Sequence, residues 1–166
     1  KSVEHLMDIY YKSVGRGCVL LLNATPDTTG RIPASHVARY GEFGEAIRAL
    51  YANRKGETAG KGGVLELRFK EPAKIDHIVT MEDIRYGHIV RAYVIEGKVG
   101  DAWRELTTGS SVGYKRIDVV EPVVVEAVRF RATETVDEPV IKSFAAYEAG
   151  TRIGTTASGE ESNPWV

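Results

Sequence analysis

Cysteine is nearly absent. Cys18 stands alone, so the chain cannot form an internal disulfide. Set in an apolar run, its thiol reads as buried and inert rather than nucleophilic. Charge of one sign is missing as well. The 22 basic and 23 acidic side chains leave a formal net charge of −1, with no block of like charges. Broad electrostatic capture of nucleic acid or of an anionic membrane is therefore not expected. Long hydrophobic runs are lacking too. The longest are about five residues, far short of the ~20 that a spanning helix needs. No secretory leader stands at the start, and Lys1-Ser2-Val3 reads as the interior of a longer polypeptide. His5 and His36 have no ligand partner at metal spacing and read as surface histidines. Neither metal nor other cofactor is expected.

What is present suits a globular chain: 43% hydrophobic and 27% charged residues. Its 166 residues allow one domain or two small ones. Val3, Leu6, Met7, Tyr10 and Val14 have helical spacing, with Ser2 as N-cap and Gly15 as a left-handed C-cap. Cys18-Val19-Leu20-Leu21-Leu22-Asn23 follows. It is apolar at every position before Asn23, as in a strand covered on both faces. Pro26-Asp27 and Gly30 then make a turn. A second helix begins at Pro33, with Val37, Tyr40, Phe43, Gly44, Ile47, Leu50 and Tyr51 on its buried face. Helix, buried strand, helix over residues 1–52 is a piece of a parallel α/β architecture, most simply the last βα unit of a barrel whose other strands lie elsewhere. The alternatives are that 18–22 is a helical turn or a strand of the downstream sheet.

Residues 53–63, polar and rich in glycine, read as a linker. Beyond them the period becomes two. Leu65, Leu67 and Phe69 alternate with Glu66, Arg68 and Lys70. Further strands are expected at Ile75–Met81, His88–Glu96, Trp103–Leu106, Val112–Val119, Val123–Ala132 and Val140–Tyr147. Turns are expected at Thr108-Gly109, Glu121-Pro122 and Asp137-Glu138-Pro139. About seven short strands at this spacing argue an antiparallel β-sandwich over 64–149, so the fold class is mainly β. Residues 150–166 read as a flexible tail.

Two blocks carry a family resemblance. Ser13-Val14-Gly15-Arg16-Gly17-Cys18-Val19-Leu20-Leu21-Leu22-Asn23, then Pro26-Asp27, Gly30 and Ile32-Pro33, resembles the pattern S-V-G-R-G-x-x-L-L-L-N-x-x-P-D-x-x-G-x-I-P. That pattern ends the catalytic barrel of α-L-fucosidases of glycoside hydrolase family 29. Met81-Glu82-Asp83-Ile84, Gly87, Val90-Arg91, Tyr93-Val94-Ile95-Glu96-Gly97, Trp103, Gly109, Gly113-Tyr114-Lys115-Arg116-Ile117 and Val128-Arg129 are similar to the appended sandwich. That domain is itself similar to discoidin and galactose-binding-like modules. The resemblance spans residues 5–148. It implies a C-terminal fragment of a retaining hydrolase that releases L-fucose from glycans. The partners implied are the remainder of the barrel and a fucosylated glycan. The location implied is periplasmic, secreted or lysosomal. The family's Asp nucleophile, Glu acid/base and substrate-binding His and Trp would all lie upstream, so no residue here is expected to be catalytic. The Asp-Gly calcium loop of many discoidin-like modules is also missing.

Retaining hydrolysis needs two carboxylates about 5 Å apart. Glu82 and Asp83 cannot be that pair, because neighbours in a strand point to opposite faces. They read as structural, through Arg85, Arg91 or loop amides. Asn23, Thr25 and Asp27 follow the barrel-type strand, at the end where such barrels carry their catalytic loops. Asn23 and Asp27 are therefore substrate-binding candidates, and turn chemistry is the plainer role. Arg85, Tyr86 and His88 combine donors with an aromatic face in a loop, as sugar sites do. An interface with the barrel is the alternative. Trp103 reads as packing, and Tyr114-Lys115-Arg116 as a solvated strand face. Two further readings stay open for the whole chain: a stand-alone carbohydrate-binding module, or a purely structural interaction domain.

Overall fold

The computed structural model describes residues 1–150, so most of the expected tail lies outside the described residues. Two helices precede six strands. Helix α1 is Val3–Lys12 and α2 is Ala34–Ala52. The strands are β1 Arg54–Lys61, β2 Val64–Glu82, β3 Val90–Val99, β4 Ala102–Gly109, β5 Arg116–Thr135 and β6 Val140–Tyr147. They form one antiparallel sheet in the order β1-β6-β2-β5-β3-β4, curled over so that β1 lies against the first half of β2. Six strands stand where seven were expected: β2 and β5 each merge two, which leaves five, and β1 is an additional one.

The merging has a physical cause. β2 runs for 19 residues and β5 for 20, several times an ordinary strand. The first half of β2 pairs with the second half of β5, Leu65 opposite Phe130 and Leu67 opposite Val128. Farther on, His77 pairs with Val119 and Val79 with Ile117. Register shifts between Arg68 and Ala73 and between Ile75 and His77 separate these stretches. Pro72 and Pro122 sit at the shifts, where a missing N–H is tolerated. The prolines thus mark bends at which the strands pass from one layer to the other, instead of turns.

Between the layers lies the main core, with Ile75, Ile78, Tyr93, Val128, Phe130, Ile141 and Phe144 all but fully buried. The opposite face of the β1-β6-β2-β5 layer carries Val79, Ile117, Ala145 and Tyr147. These meet Leu6, Met7, Tyr10 and Tyr11 of α1 and Phe43 and Leu50 of α2. Along β6 the alternation is strict: Phe144 and Ala146 face one core, Ala145 and Tyr147 the other.

The 53–63 stretch is not a linker. It is the edge strand β1, paired with β6 from Arg54–Tyr147 to Lys61–Val140. Its glycines are there for close approach. A Cβ on Gly56 would meet Leu67 at 3.1 Å, and one on Gly60 would meet Leu65 at 3.0 Å. Glycine composition alone does not separate a flexible tether from a strand lying flat on bulky neighbours.

The first segment differs in detail. Ser2 caps α1, accepting from the His5 amide at 3.2 Å. Gly15 is not the left-handed residue. Gly17 is, with φ +78°, while Gly15 is pressed against Ile117. After a single bridge between Arg16 and Arg116, residues 18–23 form no strand. Leu20 and Leu22 turn into the helical core, but Val19 is 92% exposed, Leu21 82% and Val37 57%. Cys18 is exposed too, against expectation, since the run has no strand beside it. Helix α2 buries only its second half, at Phe43 and Leu50. Among the described residues no helix is long and apolar enough to cross a membrane.

Candidate functional site

The adjacent acids Glu82 and Asp83 have opposite fates. Glu82, at the end of β2, is buried. Its Oε1 accepts from the Ile89 and Val90 amides, both at 3.0 Å, and its Oε2 from Gly113 at 2.7 Å. One carboxylate thereby ties two loops to a strand end. Asp83 faces outward and is bound side-on by Arg85. Those hydrogen bonds from the guanidinium hold its pKa down at about 2. Asp83 therefore favours the folded state above the ordinary carboxylate range and loses that contribution as pH falls towards 2. In Arg85→Gln, carboxyl NMR titration should show Asp83 rising towards the ordinary value; an unmoved midpoint would refute the pairing. Neither carboxylate is free to attack or protonate a sugar.

Arg85, Tyr86 and His88 do gather in one loop, built on the short 3₁₀ turn Ile84–Tyr86. The Arg85 guanidinium lies 5.9 Å from the Tyr86 ring centre. Tyr86 is 63% exposed, and the His88 ring lies over Gly113. Asn23 and Asp27 lie elsewhere in the chain. Asn23 borders a groove of about 330 Å³ lined also by Leu6, Leu22, His36, Arg39 and Tyr40. Its carbonyl accepts from the Tyr40 hydroxyl at 2.8 Å. Asp27 Oδ1 accepts from the Thr29 hydroxyl (2.6 Å), the Thr29 amide (2.8 Å) and the Arg31 amide (3.2 Å). This turn lowers its pKa, the Thr29 hydroxyl first. Among the described residues no hydrogen bond joins the 23–27 segment to the 83–88 loop.

Three polar arrangements escaped the sequence reading. His77 is buried, Nδ1 donating to Asp76 Oδ1 at 2.7 Å, with Nε2 3.0 Å from the Tyr11 hydroxyl. Burial pushes Asp76 up, but the Ala149 and Gly150 amides and His77 outweigh it and leave its pKa lowered. Burial, then the Asp76 charge, raises Tyr11 to about 12. This chain fastens α1 to the sheet. In the sandwich interior, Asp118 accepts from Tyr93 (2.7 Å) and Arg116 (3.0 Å), so Arg116 is not on a solvated face. Lys115 is not either: it enters a second pocket, of about 320 Å³, with Tyr51, Arg54, Glu57, Met81 and Tyr147. Each set joins residues 25 or more apart in sequence, which a local pattern cannot reveal. Trp103 packs as expected, with the Arg129 guanidinium 4.2 Å above its ring. Among the described residues no cluster of three or more His, Cys, Asp or Glu could hold a metal.

No protein-family model matches the chain. Individual proteins do. The chain is 36% identical to a structure from Bacteroides thetaiotaomicron assigned as an α-L-fucosidase, with a TM-score of 0.87 over 89% of this chain and 34% of that one. It is 32% identical, at a TM-score of 0.82, to a glycoside hydrolase 29 family member from an unknown rumen bacterium, over 95% of this chain and 30% of that one. With α-L-fucosidase 1 of Arabidopsis thaliana it shares 26% identity over 153 residues, 70% of this chain and 30% of the relative. The chain spans about a third of the length of these relatives. The match covers both the helical segment and the sheet, so the chain is homologous to the C-terminal region of glycoside hydrolase family 29, the α-L-fucosidases.

Proposed function

We propose that the protein serves as the C-terminal region of an α-L-fucosidase, a retaining hydrolase that frees L-fucose from glycans. In this reading residues 1–52 close the catalytic barrel and 64–149 brace it. One observation carries it: the run after Gly17 covers one face, at Leu20 and Leu22, and leaves Val19 and Leu21 bare, with Leu21 sharing a groove with His36 and Tyr40 of α2. Apolar side chains side by side in water are a surface that another part of a fold covers. Neighbouring barrel strands and helices, supplied by the longer polypeptide, would do so. The two reacting carboxylates then come from those strands, and Asn23 and Asp27 shape the rim of the pocket. The test is hydrolysis of nitrophenyl α-L-fucoside. The protein alone should give no turnover, and its fusion to the upstream part of a relative should turn over. Activity of the protein alone would overturn the proposal.

A second reading rests on the exposed Arg85–Tyr86 stack beside His88. It is a sugar-binding loop that holds glycan without cleaving it. Calorimetric titration with fucose and galactose should then give heat that Tyr86→Ala abolishes.

A further inference from the structure

The pocket around Lys115 has no part in either reading. It lies where the end of α2, the start of β1, the outer face of β2 and β6 and the residue just before β5 meet. Tyr51, Val79, Met81 and Tyr147 form its apolar wall, and Arg54, Glu57, Lys115 and Ser143 its polar groups. The Tyr51 and Tyr147 rings meet edge to face at 5.6 Å, so the wall is fixed. Lys115 Nζ lies 4.8 Å from the centre of the Tyr51 ring and donates to its hydroxyl at 3.2 Å. That hydroxyl is held in turn by Tyr10 at 2.9 Å.

The charges are unevenly satisfied. Glu57 faces the pocket but is already engaged, by the Arg54 guanidinium and by the Ser143 hydroxyl, which donates at 2.7 Å. Lys115 is half-buried and forms no ion pair among the described residues. Burial is the cause that lowers its pKa. Two of its N–H donors remain for a ligand, and a half-desolvated ammonium gains most from an anion. The other polar groups narrow the ligand further. Ser143 and Glu57 offer acceptors and Arg54 offers donors, a mixture that matches hydroxyl groups, each of which donates and accepts. An aliphatic carboxylate would make no use of their remaining donor and acceptor sites. The tyrosine and methionine wall suits the C–H face of a sugar ring, and the volume is at the small end for a ligand site.

We propose that this pocket binds a carboxylate-bearing sugar. The acid group meets Lys115, the ring lies against Tyr51, Met81 and Tyr147, and the hydroxyls reach Arg54, Glu57 and Ser143. The inference does not rest on the catalytic reading, because every residue that lines the pocket belongs to this chain.

The test is an amide NMR titration of the protein with glucuronate, glucose and acetate, each to about 10 mM, a range that reports weak binding. Glucuronate should shift signals of Tyr51, Lys115, Ser143 and Tyr147. Glucose and acetate should each bind at least about tenfold more weakly, since each lacks half of the recognition. Lys115→Met keeps the stem length and should remove glucuronate binding. Ser143→Ala, which leaves Lys115 in place, should weaken it several-fold. The proposal is overturned by no shift with glucuronate, by acetate acting as strongly as glucuronate, or by undiminished binding in both variants. Shifts confined to residues 83–88 would overturn it too, and would support the sugar-loop reading instead.

Discussion

Glu82→Ala should lower stability by about 4 kcal/mol, the largest loss expected from any single polar side chain here. Its carboxylate accepts three backbone amides, from Ile89, Val90 and Gly113. Removing it leaves three buried donors at the mouth of the sandwich, each costing about 1–3 kcal/mol unless water enters. At roughly 2–4 °C per kcal/mol for a chain of this size, the thermal midpoint should fall by about 10 °C. Glu82→Gln is the sharper variant. It keeps the volume and one acceptor but turns an NH₂ group towards an amide donor. It should recover less than half of the loss. Calorimetry on the three proteins measures this. A glutamine variant as stable as the parent would mean that shape, not acceptor number, is what the position requires.

Gly109→Ala comes next, at about 3 kcal/mol. Gly109 ends β4 and pairs with Tyr93 of β3. A Cβ there would stand 2.3 Å from Cζ and Oη of the Tyr93 ring. The ring cannot retreat. It stacks on Phe130 at 5.4 Å, and its hydroxyl is bound to the buried Asp118 at 2.7 Å. The clash therefore breaks the pair, moves the strand, or costs the Tyr93–Asp118 hydrogen bond. Gly41→Ala is the control. It lies on the exposed side of α2 with nothing within 4 Å, and should stabilise the helix by about 0.5–1 kcal/mol. Denaturant unfolding of both variants should give opposite signs. Equal and small effects would show that the Tyr93 ring has room to move.

The sequence made the β-rich half legible because alternation is a local signal. Leu65, Leu67 and Phe69 announce a strand whatever lies beside them, and β6 begins and ends where its pattern does, at Val140 and Tyr147. The family blocks were equally readable, since a motif is a string. The errors share one cause. Pro122 reads as a turn, but a proline in a bent strand and a proline in a turn look alike along the chain. Gly56 and Gly60 were read as tether, yet they are small because Leu65, Leu67 and Phe69 lie against them. The run from Cys18 to Leu22 was read as a strand covered on both faces, and here it has cover on only one. Of the site candidates, Arg85, Tyr86 and His88 were legible as neighbours in one loop. Lys115, Tyr51 and Glu57 were not, because their meeting depends on three separate elements.

The sequence by itself determined the helical start, the antiparallel character of the rest and the family resemblance, all of which are written in periods and motifs of a few residues. Tertiary structure alone decided which layer each half of β2 and β5 joins, which acid is buried on amides, and where a lone ammonium meets two tyrosines. Those outcomes turn on contacts between residues tens of positions apart, and packing, not local preference, sets which side chains meet there.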